Sequence, residues 1–137
     1  MTSSFTLPPN ARVERFVTHR PVLERAACVV CHGGMGITQK APAAGVPACV
    51  VPFGRDQLEV ARHVELADAG TRPPAGRLRP DRLQASVREA TTKKGGANRI
   101  AAAFAAAGGP RAAVDTLEEL LGETTTGSAE RARNSAR

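Results

Sequence analysis

The chain has 137 residues, 42% of them hydrophobic, which is room for one domain with a modest core. Nineteen basic against thirteen acidic residues give a formal charge of +6, but the arginines are scattered, and four Phe with no Trp or Tyr offer few stacking platforms. That pattern speaks for a solvated basic surface and against a nucleic-acid partner. No stretch approaches the ~20 apolar residues of a membrane span, and the first nine residues lack a basic segment followed by an apolar one, so a soluble, cytoplasmic protein is expected.

Strand-like and helical patterns alternate along the chain. Arg12 to Val17 reads as a first short strand, Cys28 to Cys31 as a second and Ala48 to Val51 as a third, each short enough to be buried in a parallel sheet. A helix starting near Met35 follows the second strand. Pro42 inside it removes a backbone donor and crowds the Thr38 carbonyl at a cost of about 3 kcal/mol, which predicts a short or kinked helix. From Arg55 to Ala67 the residues Val60, Ala61, Val64 and Ala67 share one helical face, and a very short strand is expected at 70–72. Pro80 opens a helix with Leu83, Val87 and Ala90 as its packing stripe. Ile100, Ala103, Phe104 and Ala107 form another stripe, ended by Gly108-Gly109. Pro110 begins a last helix with Val114, Leu117 and Leu121 inward and Gly122 as its stop. From Glu123 on the chain is almost wholly polar. The expected division is therefore a domain over 1–122 and a disordered tail over 123–137.

Strand, loop and helix repeated in this order specify an α/β domain whose ligand lies at the carboxyl ends of its strands. There the chain places Cys31-His32-Gly33-Gly34-Met35-Gly36, and after the next strand Pro52 with Asp56-Gln57. Glycine amides at a helix start suit a diphosphate, an imidazole adds a donor, and a carboxylate with an amide suits sugar hydroxyls. The segment Cys28-Val29-Val30-Cys31-His32 also matches the pattern for covalent c-type haem attachment, a remote alternative that would need export from the cytoplasm. Its place on a β-branched run weakens a thioredoxin-like reading, and His19 and His63 have no spacing that would recruit them to a zinc site.

His32-Gly33-Gly34-x-Gly36, then Gly45-Val46-Pro47, then Pro52 with Asp56-Gln57 four positions later resembles the signature of nucleotide-sugar-dependent glycosyltransferases of the GT-B fold, such as UDP-glucuronosyl and UDP-glucosyl transferases and bacterial antibiotic or glycolipid glycosyltransferases. The likeness extends upstream to Arg15-Phe16-Val17-Thr18-His19 with Leu23, and downstream through Ala69-Gly70, Leu83, Val87 and Arg99 to Leu121. It covers roughly Pro9 to Leu121.

The resemblance implies an incomplete Rossmann-like C-terminal domain, a short parallel sheet flanked by helices, lacking the strands that precede it in the family. It implies binding of a UDP- or dTDP-sugar for hexosyl transfer with no metal or other cofactor. His32, Gly33, Gly34 and Gly36 would hold the diphosphate, Asp56 and Gln57 the sugar hydroxyls, and Phe16, Val17 and His19 would lie near the base. The general base belongs to the family's N-terminal domain, so no catalytic residue is expected here. The partners implied are the nucleotide-sugar and either a separate acceptor-domain chain or a second copy. A noncatalytic interaction or regulatory fragment that has lost its ligand is the alternative. Three departures stand out: Ile37 where the family has Thr or Ser, Thr18 in place of Pro, and Lys40 where it has a ribose-binding Glu. A lysine cannot accept hydroxyl hydrogen bonds, but it reaches a phosphate.

Overall fold

A computed structural model describes residues 6–134, with side chains described through Leu121. The order is α1 (His19–Leu23), β1 (Val29–Cys31), α2 (Met35–Ala43), β2 (Ala48–Val50), α3 (Gln57–Leu66), β3 (Gly70–Thr71), a 3-10 turn at Ala75–Arg77, α4 (Pro80–Thr92), α5 (Lys94–Ala106) and α6 (Gly109–Asn134). The three strands form one parallel sheet in the order β1-β2-β3, with Val29, Val30 and Cys31 opposite Ala48, Cys49 and Val50, and Ala48 and Cys49 opposite Gly70 and Thr71.

The central strand β2 is buried throughout, because helices cover both faces of the sheet. Ala48 and Val50 face a cluster completed by Ala61 and Val64 of α3, Ala69, and Ala97 of α5. On the other face α4 packs along β2 and β3, and Thr71 Oγ1 donates to the Ser86 carbonyl at 3.0 Å. A second cluster of Leu23, Ala41 and Val46, with Ala26, Val29 and Ile37 against it, joins α1 and α2 to the start of β1.

The core is built from small residues, and backbones approach closely as a result. A Cβ on Gly96, in the first turn of α5, would stand 1.9 Å from the Asp68 carbonyl oxygen, so α5 rests directly on the turn that ends α3. Asp68 is in the left-handed region at φ 53°, and its carboxylate accepts a 2.8 Å bond from Lys93 Nζ. That hydrogen bond, with the charge behind it, holds the Asp68 carboxyl below its ordinary range and raises Lys93.

Several expectations are corrected. Residues 12–17 form no strand, because no neighbouring strand pairs with their amides. All six are exposed, Phe16 to 83%. Pro42 does leave α2 the short helix expected, nine residues ending at Ala43. It lies buried in the last turn, where little helix remains to be disrupted. The helix ending at Ala106 starts earlier than its stripe suggested, at Lys94, and of that stripe Ile100 is half-buried while Phe104 remains 51% exposed. Val114, Leu117 and Leu121 of α6 are exposed rather than inward. The helix also continues through Gly122 to Asn134, an interior glycine costing a helix only about 1 kcal/mol. The side chains from Gly122 on, and residues 135–137 entirely, lie outside the described residues, and with them the expected boundary between domain and polar tail.

Two expected outcomes follow from this packing. Gly96→Ala should destabilise the fold by about 3 kcal/mol or more in urea unfolding, the cost of forcing backbone apart, while Gly76→Ala, which meets nothing within 4 Å, should be close to neutral. For the Lys93–Asp68 pair, the unfolded chain returns Asp68 to its ordinary pKa, so the bridge's contribution is fully present above that value. It is lost as pH falls through the depressed folded-state value. Stability curves of the wild type and Lys93→Met should therefore differ at neutral pH and converge in acid.

Candidate functional site

Cys31 and Val50 are register partners in parallel strands, so His32 and Val51 leave the sheet at the same edge. Val51 N–H donates to the Cys31 carbonyl at 2.8 Å and carries the pairing one residue further. Gly33 then turns with φ 94°, a conformation that suits glycine. A Cβ there would stand 3.1 Å from Val50 Cγ1 and 3.2 Å from the Gln57 carbonyl oxygen. The loop after β1 is thus seated on the first residue of α3. The structure brings the His32 loop and the Asp56-Gln57 loop together, although they are far apart in sequence.

The His32 ring is exposed and folds over the backbone of Gly34, where an added Cβ would meet Nε2 at 2.7 Å. Gly34 is the N-cap of α2 and offers no side-chain acceptor to the amides that follow. Those amides carry the positive end of the helix dipole. Gly36 faces open space, and a Cβ added there would meet nothing within 4 Å. Thr38 is a residue that sequence reasoning missed. Buried, it donates its hydroxyl to the Gly34 carbonyl at 2.9 Å while its amide bonds the same oxygen at 3.1 Å, which anchors the start of α2. Its β-branched hydroxyl four residues after the cap glycine was the available signal. Ile37 turns instead to the cluster around Leu23 and Val46.

Asp56 is exposed and serves as the N-cap of α3, though its side chain caps no amide. Gln57 Oε1 accepts the Phe53 amide at 2.9 Å, which closes the loop. Between them Arg55 has φ 56°, a left-handed conformation that costs an L-residue about 1–2 kcal/mol. Strained backbone of this kind tends to accumulate at binding sites.

The remaining expected residues stand elsewhere. Lys40 lies on the α1 side of α2, in an open groove of about 430 Å³ with Arg20, Leu23 and Glu24. Phe16 and Val17 line a separate groove with Arg12, Glu14 and Val22, and His19 begins α1, exposed. Neither groove includes a residue of the His32 or Asp56 loops. The cysteines of the haem-like pattern are absorbed by packing. Cys31 Sγ lies 3.8 Å from Thr38 Oγ1, and Cys28 Sγ donates to the Val29 carbonyl at 3.5 Å, with burial pushing the Cys28 thiol up. Among the described residues no three His, Cys, Asp or Glu side chains gather as metal ligands would, and no helix is long and apolar enough to cross a membrane.

The sequence model for the erythromycin biosynthesis protein CIII-like C-terminal domain matches residues 2–120. The chain belongs to this family. It corresponds to the C-terminal part of glycosyltransferases of the GT-B fold. It is 31% identical over 122 residues to an uncharacterized UDP-glucosyltransferase, YojK, of Bacillus subtilis, covering 87% of this chain and 30% of that protein. It is 37% identical over 109 residues to the O-mycaminosyltylonolide 6-deoxyallosyltransferase of Streptomyces fradiae, covering 77% and 26%. Among solved structures, the calicheamicin glycosyltransferase CalG4 superposes with a TM-score of 0.80 at 28% identity, covering 87% of this chain and 32% of that one. The glycotransferase of kitacinnamycin superposes at 0.77 with 32% identity, covering 86% and 32%. The CIII-like domain thus spans about a third of the length of these relatives.

The loop geometry gives paired expectations for stability. Arg55→Gly should raise the unfolding free energy by about 1 kcal/mol by relieving the left-handed backbone. Gly33→Ala should lower it by at least about 1 kcal/mol, since the added methyl group is both strained and crowded against Val50 and Gln57. Chemical denaturation of the two variants beside the wild type checks both.

Proposed function

We propose that this chain binds a nucleotide-sugar donor, a UDP- or dTDP-hexose, at the adjoining loops after β1 and β2, and that it serves hexosyl transfer as the donor-binding part of a glycosyltransferase. The observation that supports this reading is the seating of Gly33 on Val50 and Gln57, which brings the loop that carries His32 and the uncapped start of α2 against the loop that carries Asp56 and Gln57. In this reading the Met35 and Gly36 amides with His32 take the diphosphate, and Asp56 with Gln57 take sugar hydroxyls.

The chemistry these groups supply is preorganised stabilisation of a leaving diphosphate. As the glycosidic bond breaks, negative charge grows on the oxygen that departs with the nucleotide, and fixed amide dipoles and an imidazole N–H meet it without reorganising. The reading assigns no metal to this step and no general base to this chain. His63 is exposed and paired with Glu59 at 3.2 Å, which suits a surface role. The acceptor and the base would come from another part of the assembly, in the same polypeptide or a separate one.

A second reading, a noncatalytic interaction fragment, draws support from Lys40, which lies in the groove toward α1 and has no acceptor to offer a ribose. Calorimetric titration with a panel of UDP- and dTDP-sugars separates the two. Donor binding predicts saturable heat with the wild type and about tenfold or greater weakening by Asp56→Ala, the loss of a charged hydrogen-bonding group. His32→Ala should weaken free UDP and UDP-sugar alike, whereas Asp56→Ala should weaken only the sugar-bearing ligand. Absence of binding across the whole panel would favour the noncatalytic reading.

A further inference from the structure

Among the described residues, two other than glycine hold the left-handed backbone conformation, Asp68 at φ 53° and Arg55 at φ 56°. For Asp68 the packing offsets the strain. Its carboxylate accepts the 2.8 Å bond from Lys93 Nζ, and its carbonyl lies under Gly96 at the start of α5. Arg55 has no such support. It is exposed, and among the described residues its guanidinium makes no ion pair. Other surface arginines are unpaired too, but they stand on ordinary backbone. Arg55 alone joins a strained conformation to an unmatched charge, and strain that no internal contact offsets points to a ligand.

The position of Arg55 indicates which part of a ligand it meets. It precedes Asp56 in the loop after β2, and this loop is held in shape by the 2.9 Å bond from the Phe53 amide to Gln57 Oε1. That bond also limits what the loop can offer. The Gln57 oxygen is engaged within the loop and its NH2 group is left to donate, Asp56 only accepts, and Arg55 adds a charged, planar fork of donors. A neutral hexose presents hydroxyls, which Asp56 and Gln57 suffice to meet, and leaves the guanidinium without a counterpart. A hexuronic acid presents hydroxyls together with a carboxylate of matching planar geometry.

We propose that Arg55 selects an acidic sugar, so that the donor taken at this site is a nucleotide-linked hexuronic acid whose carboxylate receives the Arg55 guanidinium. The inference rests on the donor reading of the same two loops and narrows its sugar. In that reading the diphosphate is met by the start of α2 and His32, on the β1 side, whereas Arg55 belongs to the β2 loop with the pair that meets the sugar. Glucose and 6-deoxyallose, the sugars in the names of the two relatives above, carry no acidic group, so likeness to those proteins does not supply this class.

The test is calorimetric titration of the full chain with free UDP, UDP-glucose and UDP-glucuronate, and with the matching dTDP series. The wild type should bind the glucuronate donor about tenfold or more tighter than the glucose donor, the contribution of a charged bidentate pair. In Arg55→Asn, which removes the charge and tolerates a left-handed backbone, that ratio should fall to about one. Arg62→Asn, which removes the same charge from an exposed position of α3, should keep the wild-type ratio. A wild type that binds both donors alike overturns the inference and leaves the donor reading in place. A preference that survives Arg55→Asn overturns it as well, and so does an equal loss of affinity for all three ligands, which would put the guanidinium on the diphosphate. Absence of binding by every ligand overturns the donor reading and this inference with it.

Discussion

Everything in this domain depends on how closely two βα loops can approach at the carboxyl edge of a very small sheet. Three register pairs join β1 to β2, and the pairing is extended by the Val51 amide on the Cys31 carbonyl. Beyond that point Gly33 stands between Val50 and Gln57 in a left-handed conformation, where a side chain would be both strained and crowded. A larger residue would push the β1–α2 loop away from α3 and part the His32 and Asp56 loops. The close approach is maintained from below by Thr38, whose hydroxyl and amide both hold the Gly34 carbonyl, and from the side by Gln57, whose amide oxygen holds Phe53.

The same economy of volume governs the core. Ala41, Ala48, Ala61, Ala69, Ala90 and Ala97 are buried to within 1% exposure, and valines supply most of the remaining apolar bulk. Small residues let helices lie close to the sheet, as α5 does where Gly96 rests on the Asp68 carbonyl. Each buried valine contributes about 1.5–3 kcal/mol, so a core this small leaves little margin. The phenylalanines among the described side chains, Phe16, Phe53 and Phe104, lie at the surface. Aromatic groups that carry the core in many domains are here available to line grooves and loops instead.

The β1 strand is an edge. Among the described residues no strand pairs with its outer side, and Val30 is exposed. An unpaired edge beside a candidate ligand site ties stability to function. The strand that positions His32 is held from one side, so whatever covers the other side also steadies the site. The relatives of this family, of which the chain spans about a third, have further polypeptide with which to do this.

Much of the fold was legible in the sequence because its signals are local. Short β-branched or apolar runs located β1 and β2, helical spacing of Ala61 and Val64 located α3, and Pro80 opened α4 at the residue expected. The pairing of His32-Gly33-Gly34 with Asp56-Gln57 followed from the rule that neighbouring parallel strands share a carboxyl edge. Where the expectation failed, the deciding partner was distant or absent. Among the described residues, 12–17 have strand-like composition but no strand beside them, and the α6 stripe has helical spacing but leaves Val114 and Leu117 exposed. Local residue patterns were enough for the α/β alternation and the family. It took the packing of distant elements to put Lys40 in a groove toward α1, to make Thr38 the anchor of a helix start and to leave Val114 and Leu117 of α6 exposed. Periodicity specifies which face of an element is apolar, whereas burial depends on which other element reaches that face.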